Sequence, residues 1–208
     1  MPEAYIVESL RTAGGRRKGA LSGVHPADLG GLVLDALVER SGIDPAAIDD
    51  VIVGCVSQVG EQSFHIARNM VMASSLPDSV PAVGIDRQCG SSQQAIQFAA
   101  QAVMSGVQDV VIAAGVESMT RVPMGSPTRL AAEAGLGTPW SDRILERYGI
   151  AGFNQFTSAQ MIADKYGFSR EAMDAFALGS HQKAAAAIDA GSFRNEIVPV
   201  RTAARLFA

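Results

Sequence analysis

The chain has 208 residues, 48% of them apolar, 18% charged and 6% aromatic, with a formal net charge of −4. Such a composition supports a real core in one large domain, or one and a fraction. The acidic balance and the scarcity of rings leave no basic stacking surface, which excludes nucleic-acid binding.

The opening residues, Met1-Pro2-Glu3-Ala4-Tyr5, carry no basic segment leading into an apolar stretch. No apolar run approaches the ~20 residues of a membrane span. The expectation is a soluble, cytoplasmic protein with no membrane partner. Tyr5-Ile6-Val7 is expected as a short strand, followed by a loop over Arg11 to Lys18. Pro26, then Leu29, Leu32, Val33, Ala36 and Leu37, gives helical spacing that ends near Ser41-Gly42. Asp50 to Val56 is a β-branched run of strand length, and Ile66 to Ser74 reads as a second helix closed before Pro77.

The alternation continues with a strand at Ala82 to Ile85, a helix at Ser91 to Ser105 and a strand at Asp109 to Gly115. Strands and helices in alternation require crossover connections, so the expected class is α/β, a mostly parallel sheet with helices on both faces. From Met119 to Asn154 the chain turns rich in Gly, Pro, Ser and Arg, with one short helical stretch around Ile144 to Arg147. A long excursion of that kind binds something or makes an interface. Helical texture returns at Ser158 to Tyr166. Ser169-Arg170-Glu171-Ala172 then resembles a capped helix start, continuing through Gln182 to Ala190. No internal repeat is visible, and Arg201 to Ala208 completes no recognisable element.

Two cysteines, Cys55 and Cys89, show no metal-ligand spacing. Free thiols in a reducing compartment are expected, with a disulfide between them as the alternative and no metal site. Cys89 lies in Asp86-Arg87-Gln88-Cys89-Gly90-Ser91-Ser92-Gln93-Gln94-Ala95, between an apolar strand and the start of a helix. At such a turn the unpaired N–H groups and the helix dipole stabilise negative charge on sulfur. Gly90 lets a substrate carbonyl approach closely, and the Cys89 backbone amide is a candidate oxyanion donor. A lone cysteine is more often an inert buried residue. Here polar neighbours on both sides argue against deep apolar burial, and a strand–turn–helix elbow is a recurring way to present a nucleophile.

Arg87-Gln88-Cys89-Gly90-Ser91-Ser92-Gln93-Gln94-Ala95 closely resembles the nucleophile motif of the thiolase family. Ala113 to Met119 is similar to that family's G-G-x-E-S-M segment, and Val7 to Ala13 to its V-x-A-x-R-T-P start. Val53 to Val56, Gly60-Glu61 and Ala67-Arg68 follow the same order. Farther on, Ser169-Arg170-Glu171 with Asp174 to Ala177, and Asn195 to Pro199, resemble the S-R-E-x-x-D-x-F-A and D-E-I-x-P stretches. The resemblance runs from about Tyr5 to Pro199. Related ketoacyl synthases share the fold and a cysteine nucleophile, but the G-V-E-S-M and S-R-E segments match thiolases better.

The resemblance implies an acyl-CoA C-acyltransferase that condenses acyl-CoA molecules or cleaves a 3-ketoacyl-CoA, with Cys89 carrying the acyl group as a thioester. Coenzyme A would be substrate and product, with no tightly bound cofactor. Residues 1–118 would form the N-terminal α/β domain of a thiolase-like fold, and 119–208 part of the loop domain on the CoA side. Homodimers or homotetramers are implied. The family's G-H-P, C-x-G and N-E-A-F segments do not occur in this sequence, so the C-terminal catalytic half is expected to be missing or on a separate chain. The competing expectation is an inactive truncated remnant or an interaction module. His25, His65 and His181 are expected in surface or packing roles, and Cys55 as a buried structural thiol. Gln155 stands where many relatives place an acyl-pocket methionine, which argues against acetoacetyl specificity; no CoA-binding residue is assignable.

Overall fold

The structure, a computed structural model, describes residues 3–202 and 206–208. In chain order its elements are β1 (Arg11–Thr12), α1 (Pro26–Ser41), β2 (Asp50–Gly54), α2 (Ile66–Met72), β3 (Ala82–Ile85), α3 (Ser91–Met104) and β4 (Val111–Gly115). There follow α4 (Ser126–Glu133), α5 (Asp142–Tyr148), α6 (Gln155–Tyr166), α7 (Arg170–Asp189), β5 (Ile197–Val198), β6 (Val200–Arg201) and β7 (Leu206–Phe207). Two compact units result: one takes in the chain up to Leu130 and from Glu196 onward, the other spans Ala131–Asn195.

The first unit is built on a parallel sheet in the order β3-β2-β4. Side chains of a strand alternate between faces, and both faces are covered. Val51, Val53 and Cys55 pack with Leu34 of α1 and with Ile66, Ala67, Met70 and Val71 of α2. Ile52 turns the other way, onto Ala95 and Ala99 of α3, with Ile85, Val111 and Ala113 beside them. Leu34, Ile66 and Met70 are almost fully buried, each contributing on the order of 1.5–3 kcal/mol of apolar transfer. The class is therefore α/β with helices on both faces of a parallel sheet.

Local chemistry sets the helix ends. His25 caps α1 through Nδ1, which accepts from the Ala27 N–H at 3.2 Å, and the N–H of the left-handed Gly42 closes the far end on the Val38 carbonyl. In the second unit, Asn154 Oδ1 accepts from Phe156 N and Thr157 N at 2.9 and 3.1 Å. Ser169 Oγ accepts from Ala172 N at 3.2 Å, the cap expected from Ser169-Arg170-Glu171-Ala172. Trp140 and Tyr148 both contact Phe153, with ring centroids 6.3 and 5.5 Å apart. No residue of α7 is buried.

At the carboxyl ends of β2 and β4 a polar node ties the two strand exits together. The Glu117 carboxylate accepts from Val56 N at 2.8 Å, Ser57 N at 3.2 Å and Gln62 Nε2 at 2.9 Å. Gln62, fully buried, also donates to the Ser57 carbonyl at 2.9 Å and accepts from Ser118 N at 2.6 Å.

Three expectations need correction. Tyr5, Ile6 and Val7 form no strand: they are 77%, 78% and 83% exposed, and pairing begins only at Arg11–Thr12, within the expected loop of Arg11 to Lys18, where the chain lies parallel to Ile197–Val198. β-branching supplies propensity, but a strand needs a neighbour to bond, and no described strand lies beside them. Within Met119 to Asn154, α4 is a helix where loop was expected; the preceding Gly125 obscured it. In the tail, Val200–Arg201 pairs antiparallel with Leu206–Phe207 where no element was expected, and Ala203 to Arg205 lie outside the described residues.

Replacing Glu117 by Ala strands three donors, one of them on a buried amide. Urea titration should show a loss of about 1–3 kcal/mol in unfolding free energy. Glu117→Gln should fall between, because one amide oxygen still accepts. An alanine variant as stable as the native chain would show that the node contributes nothing.

Candidate active site

Cys89 sits two residues before the first residue of α3, with its side chain exposed and its thiol free. Gly90 is the N-cap of the helix. The turn before it is held from both ends. Asp86 Oδ1 accepts from Gln88 N at 2.7 Å, and the Gln88 side-chain amide returns to the same carboxylate at 3.2 and 3.1 Å. Ser91 Oγ donates to the Gln88 carbonyl at 2.6 Å and accepts from Arg87 N at 3.1 Å. Gly90 N and Ser91 N donate back to the carbonyls of Arg87 and Gln88 at 3.0 and 3.2 Å.

That hydrogen bonding offsets a local strain. Gln88, immediately before the thiol, has φ of 43°, in the left-handed region that non-glycine residues avoid. The result is a tight elbow that lifts Cys89 clear of the sheet. Among the described residues the Cys89 N–H donates to no backbone or side-chain acceptor.

Cys55 is the opposite case. It is buried against Ile66, Ala67 and Met70 in the core under α2. Burial, followed by the negative charge of Glu117, pushes its thiol up to about 12. Both thiols are free, so the disulfide alternative is not formed.

The histidines are dispersed: His25 caps α1, His65 stands at the start of α2 with φ of 65°, and His181 lies on the exposed α7. Gln155 opens α6. Glu117, noted in the sequence only as part of a motif, joins the strand exits, and Gln62 was missed altogether. No sequence pattern marks one buried glutamine in a polar stretch. Nearby, Arg121 grips Glu61 with two bonds of 2.5 and 2.6 Å and donates to the Ser22 carbonyl at 2.9 Å. Hydrogen bonding from that guanidinium holds the Glu61 carboxyl below the ordinary carboxylate range. An open concavity of about 550 Å³ lies elsewhere, between His25, Asp28 and Leu32 on one side and Val200 to Thr202 on the other, and does not include Cys89. Among the described residues, no helix is long and apolar enough to cross a membrane.

Comparison with known proteins agrees with this arrangement. The family model described as the thiolase N-terminal domain matches residues 4–206. A steroid 3-ketoacyl-CoA thiolase of Mycobacterium tuberculosis is 48% identical over 204 residues, covering 97% of this chain and 50% of that protein. A 3-ketoacyl-CoA thiolase of Bacillus subtilis is 42% identical over 202 residues, covering 96% and 49%. The crystal structure of the Bacillus anthracis acetyl-CoA acetyltransferase aligns with a TM-score of 0.82 at 32% identity, over 100% of this chain and 54% of that one. The chain thus spans about half the length of the curated relatives it matches. Motifs, sheet and helix arrangement and sequence identity converge on one conclusion: the chain belongs to the thiolase family.

Proposed function

We propose that this chain supplies the acyl-accepting cysteine of an acyl-CoA C-acyltransferase acting on a 3-ketoacyl-CoA. The observation that carries the reading is Cys89, a solvent-reachable thiol at the elbow before α3. In thiolysis its thiolate attacks the keto carbon and a C–S bond forms. The bond from the keto carbon to the α-carbon then breaks, its electron pair leaving on acetyl-CoA, which takes up a proton. Coenzyme A, as thiolate, attacks the acyl-cysteine, giving the shortened acyl-CoA and restoring Cys89. Condensation is the reverse. The Cys89 N–H is the oxyanion donor this chain offers.

Coenzyme A enters as substrate and product, without a tightly bound cofactor. Residues 1–118 serve as the nucleophile domain and 119–208 as part of the loop domain. Two features speak against acetoacetyl specificity: Gln155 stands where the resemblance places an acyl-pocket methionine in many relatives, and one relative at 48% identity is a steroid 3-ketoacyl-CoA thiolase. Turnover needs the G-H-P, C-x-G and N-E-A-F groups of a C-terminal half, from the same or a separate polypeptide. Among the described residues β3 is an edge strand of its sheet, a place where a second copy would pair in a homodimer or in each half of a homotetramer. Free thiols suit a cytoplasmic setting.

A second reading, an inactive remnant or interaction module, is favoured by exposed Phe156, Met161, Phe168 and Phe176 on and beside α6 and α7.

Incubation with acetyl-CoA or a 3-ketoacyl-CoA, followed by intact-mass and peptide analysis, should find an acyl adduct on Cys89 and none in Cys89→Ala. Without the missing base, the rate should be roughly 10²–10⁴ below that of a complete enzyme. A folded sample that never acquires the adduct decides for the second reading. The two thiols should also differ in alkylation. Since Cys55 is pushed up to about 12, it stays protonated as well as buried below that pH. Iodoacetamide at about pH 8 should label Cys89 alone, with Cys55 reacting only after urea unfolding. Equal labelling of both in the native chain would contradict the burial described for Cys55.

A further inference from the structure

Side-chain size falls away along the sheet face that carries α3. On β4 the residues facing that helix run Val111, Ala113, Gly115; on β2 they run Ile52, Gly54. Gly54 and Gly115 are register partners across the two strands. Together they leave a notch at the carboxyl edge of the sheet, and the first turn of α3 rests in it.

The fit leaves no room for a methyl group. A Cβ on Gly54 would lie 2.4 Å from both the Ser91 carbonyl carbon and the Ser92 nitrogen, backbone atoms that cannot rotate aside. A Cβ on Gly115 would lie 1.8 Å from Ser92 Oγ and 2.8 Å from Ser92 Cβ. Ordinary contact begins at 3.4 Å, so alanine at Gly54 would lift the helix start by on the order of 1 Å, a displacement large enough at a reacting centre to cost about 10²-fold.

We propose that Gly54 and Gly115 are positioning residues: the paired glycines seat the first turn of α3 and thereby set where Cys89 is presented. The link from seat to sulfur is short. Ser91, whose carbonyl carbon lies on Gly54, also clamps the Gln88 carbonyl and the Arg87 N–H through its hydroxyl, and Cys89 lies between Gln88 and the N-cap. Lifting Ser91 therefore moves the elbow with it. Neither glycine needs its conformational freedom; what each supplies is the absence of a side chain.

The inference rests on the nucleophile reading of Cys89, and the two can fail separately. The different atoms met at the two sites make the seat testable by rescue. Six variants, Gly54→Ala, Gly115→Ala, Ser92→Gly, the double variants Gly115→Ala/Ser92→Gly and Gly54→Ala/Ser92→Gly, and the control Ile52→Val, are compared with the native chain. Each is checked for fold by circular dichroism, then measured for the Cys89 acylation rate at saturating acetyl-CoA and for the Cys89 alkylation rate with iodoacetamide.

The seat predicts a fall of about tenfold or more in acylation for Gly115→Ala, with a near-native rate for Ser92→Gly. The double variant Gly115→Ala/Ser92→Gly should recover, because Gly at position 92 removes both clashing atoms. Gly54→Ala should stay impaired when combined with Ser92→Gly, since its clash is with backbone. The control Ile52→Val, which loosens the same core without touching the notch, should leave the rate unchanged. A folded Gly115→Ala variant acylating at the native rate, or a Gly115→Ala/Ser92→Gly variant no faster than Gly115→Ala, would overturn the proposal. If Gly54→Ala does not fold, the Gly115 and Ser92 pair decides alone. If the native chain forms no acyl adduct, the nucleophile reading fails, and the alkylation series still tests the seat by the same pattern of loss and rescue.

Discussion

Three parallel strands that stop at one edge are the constraint on which the rest of the first unit depends. Because β2, β3 and β4 run the same way, the chain leaves all three at the same edge of the sheet. Those exits are the segment from Cys55 to Gln62, the elbow from Asp86 to Gly90 and the segment from Val116 onward. A parallel sheet also requires cover on both faces. α3 lies on one face and α2, backed by α1, on the other, so the helix that follows Cys89 has only one place to go. The elbow is where a buried strand must turn directly into a covering helix.

Two kinds of interaction hold this edge, and each answers a different cost. Strand exits carry backbone N–H groups that have lost their ladder partners. Glu117 takes up two of these, Val56 N and Ser57 N, while Gln62 supplies the Ser118 N–H with an acceptor. The third exit has no carboxylate from a neighbouring strand. It uses its own residues, Asp86 at the front and Ser91 at the back, and accepts a left-handed Gln88 between them. The first arrangement fixes a scaffold; the second fixes a functional group at its tip.

Much of this was legible in the sequence where one physical signal dominated. Ala82 to Ile85 was read to the residue, and α1 and α3 within a residue or so, because Pro26, Gly42 and Gly90 mark ends that periodicity alone leaves open. The Cys89 elbow was readable because polar residues interrupt an apolar strand just where a helical pattern starts. What escaped depends on distance in the chain rather than on local pattern. Gln62 is buried where Glu117, 55 residues later in the chain, comes back to accept its side-chain N–H. Tyr5 to Val7 has the composition of a strand yet no neighbour to complete it. The taper from Val111 to Gly115 looks in one dimension like an ordinary small-residue run, and acquires meaning only when Gly54 is laid beside it.

The two cysteines show why context rather than residue type decides reactivity here. Cys55 and Cys89 both follow a strand of the same sheet, one residue and four residues past its end. Cys55 continues the alternation of β2 onto the face covered by α2, and so inherits a dry environment beside a carboxylate, in which its ionised form is penalised twice. Cys89 is carried past the sheet by the Asp86 turn and stops just short of the helix, where water and unpaired N–H groups are within reach. Three extra residues separate an inert thiol from a presentable one. The turn that supplies them is closed by Asp86 and Ser91, and the helix behind it settles where Gly54 and Gly115 put no side chain in the way.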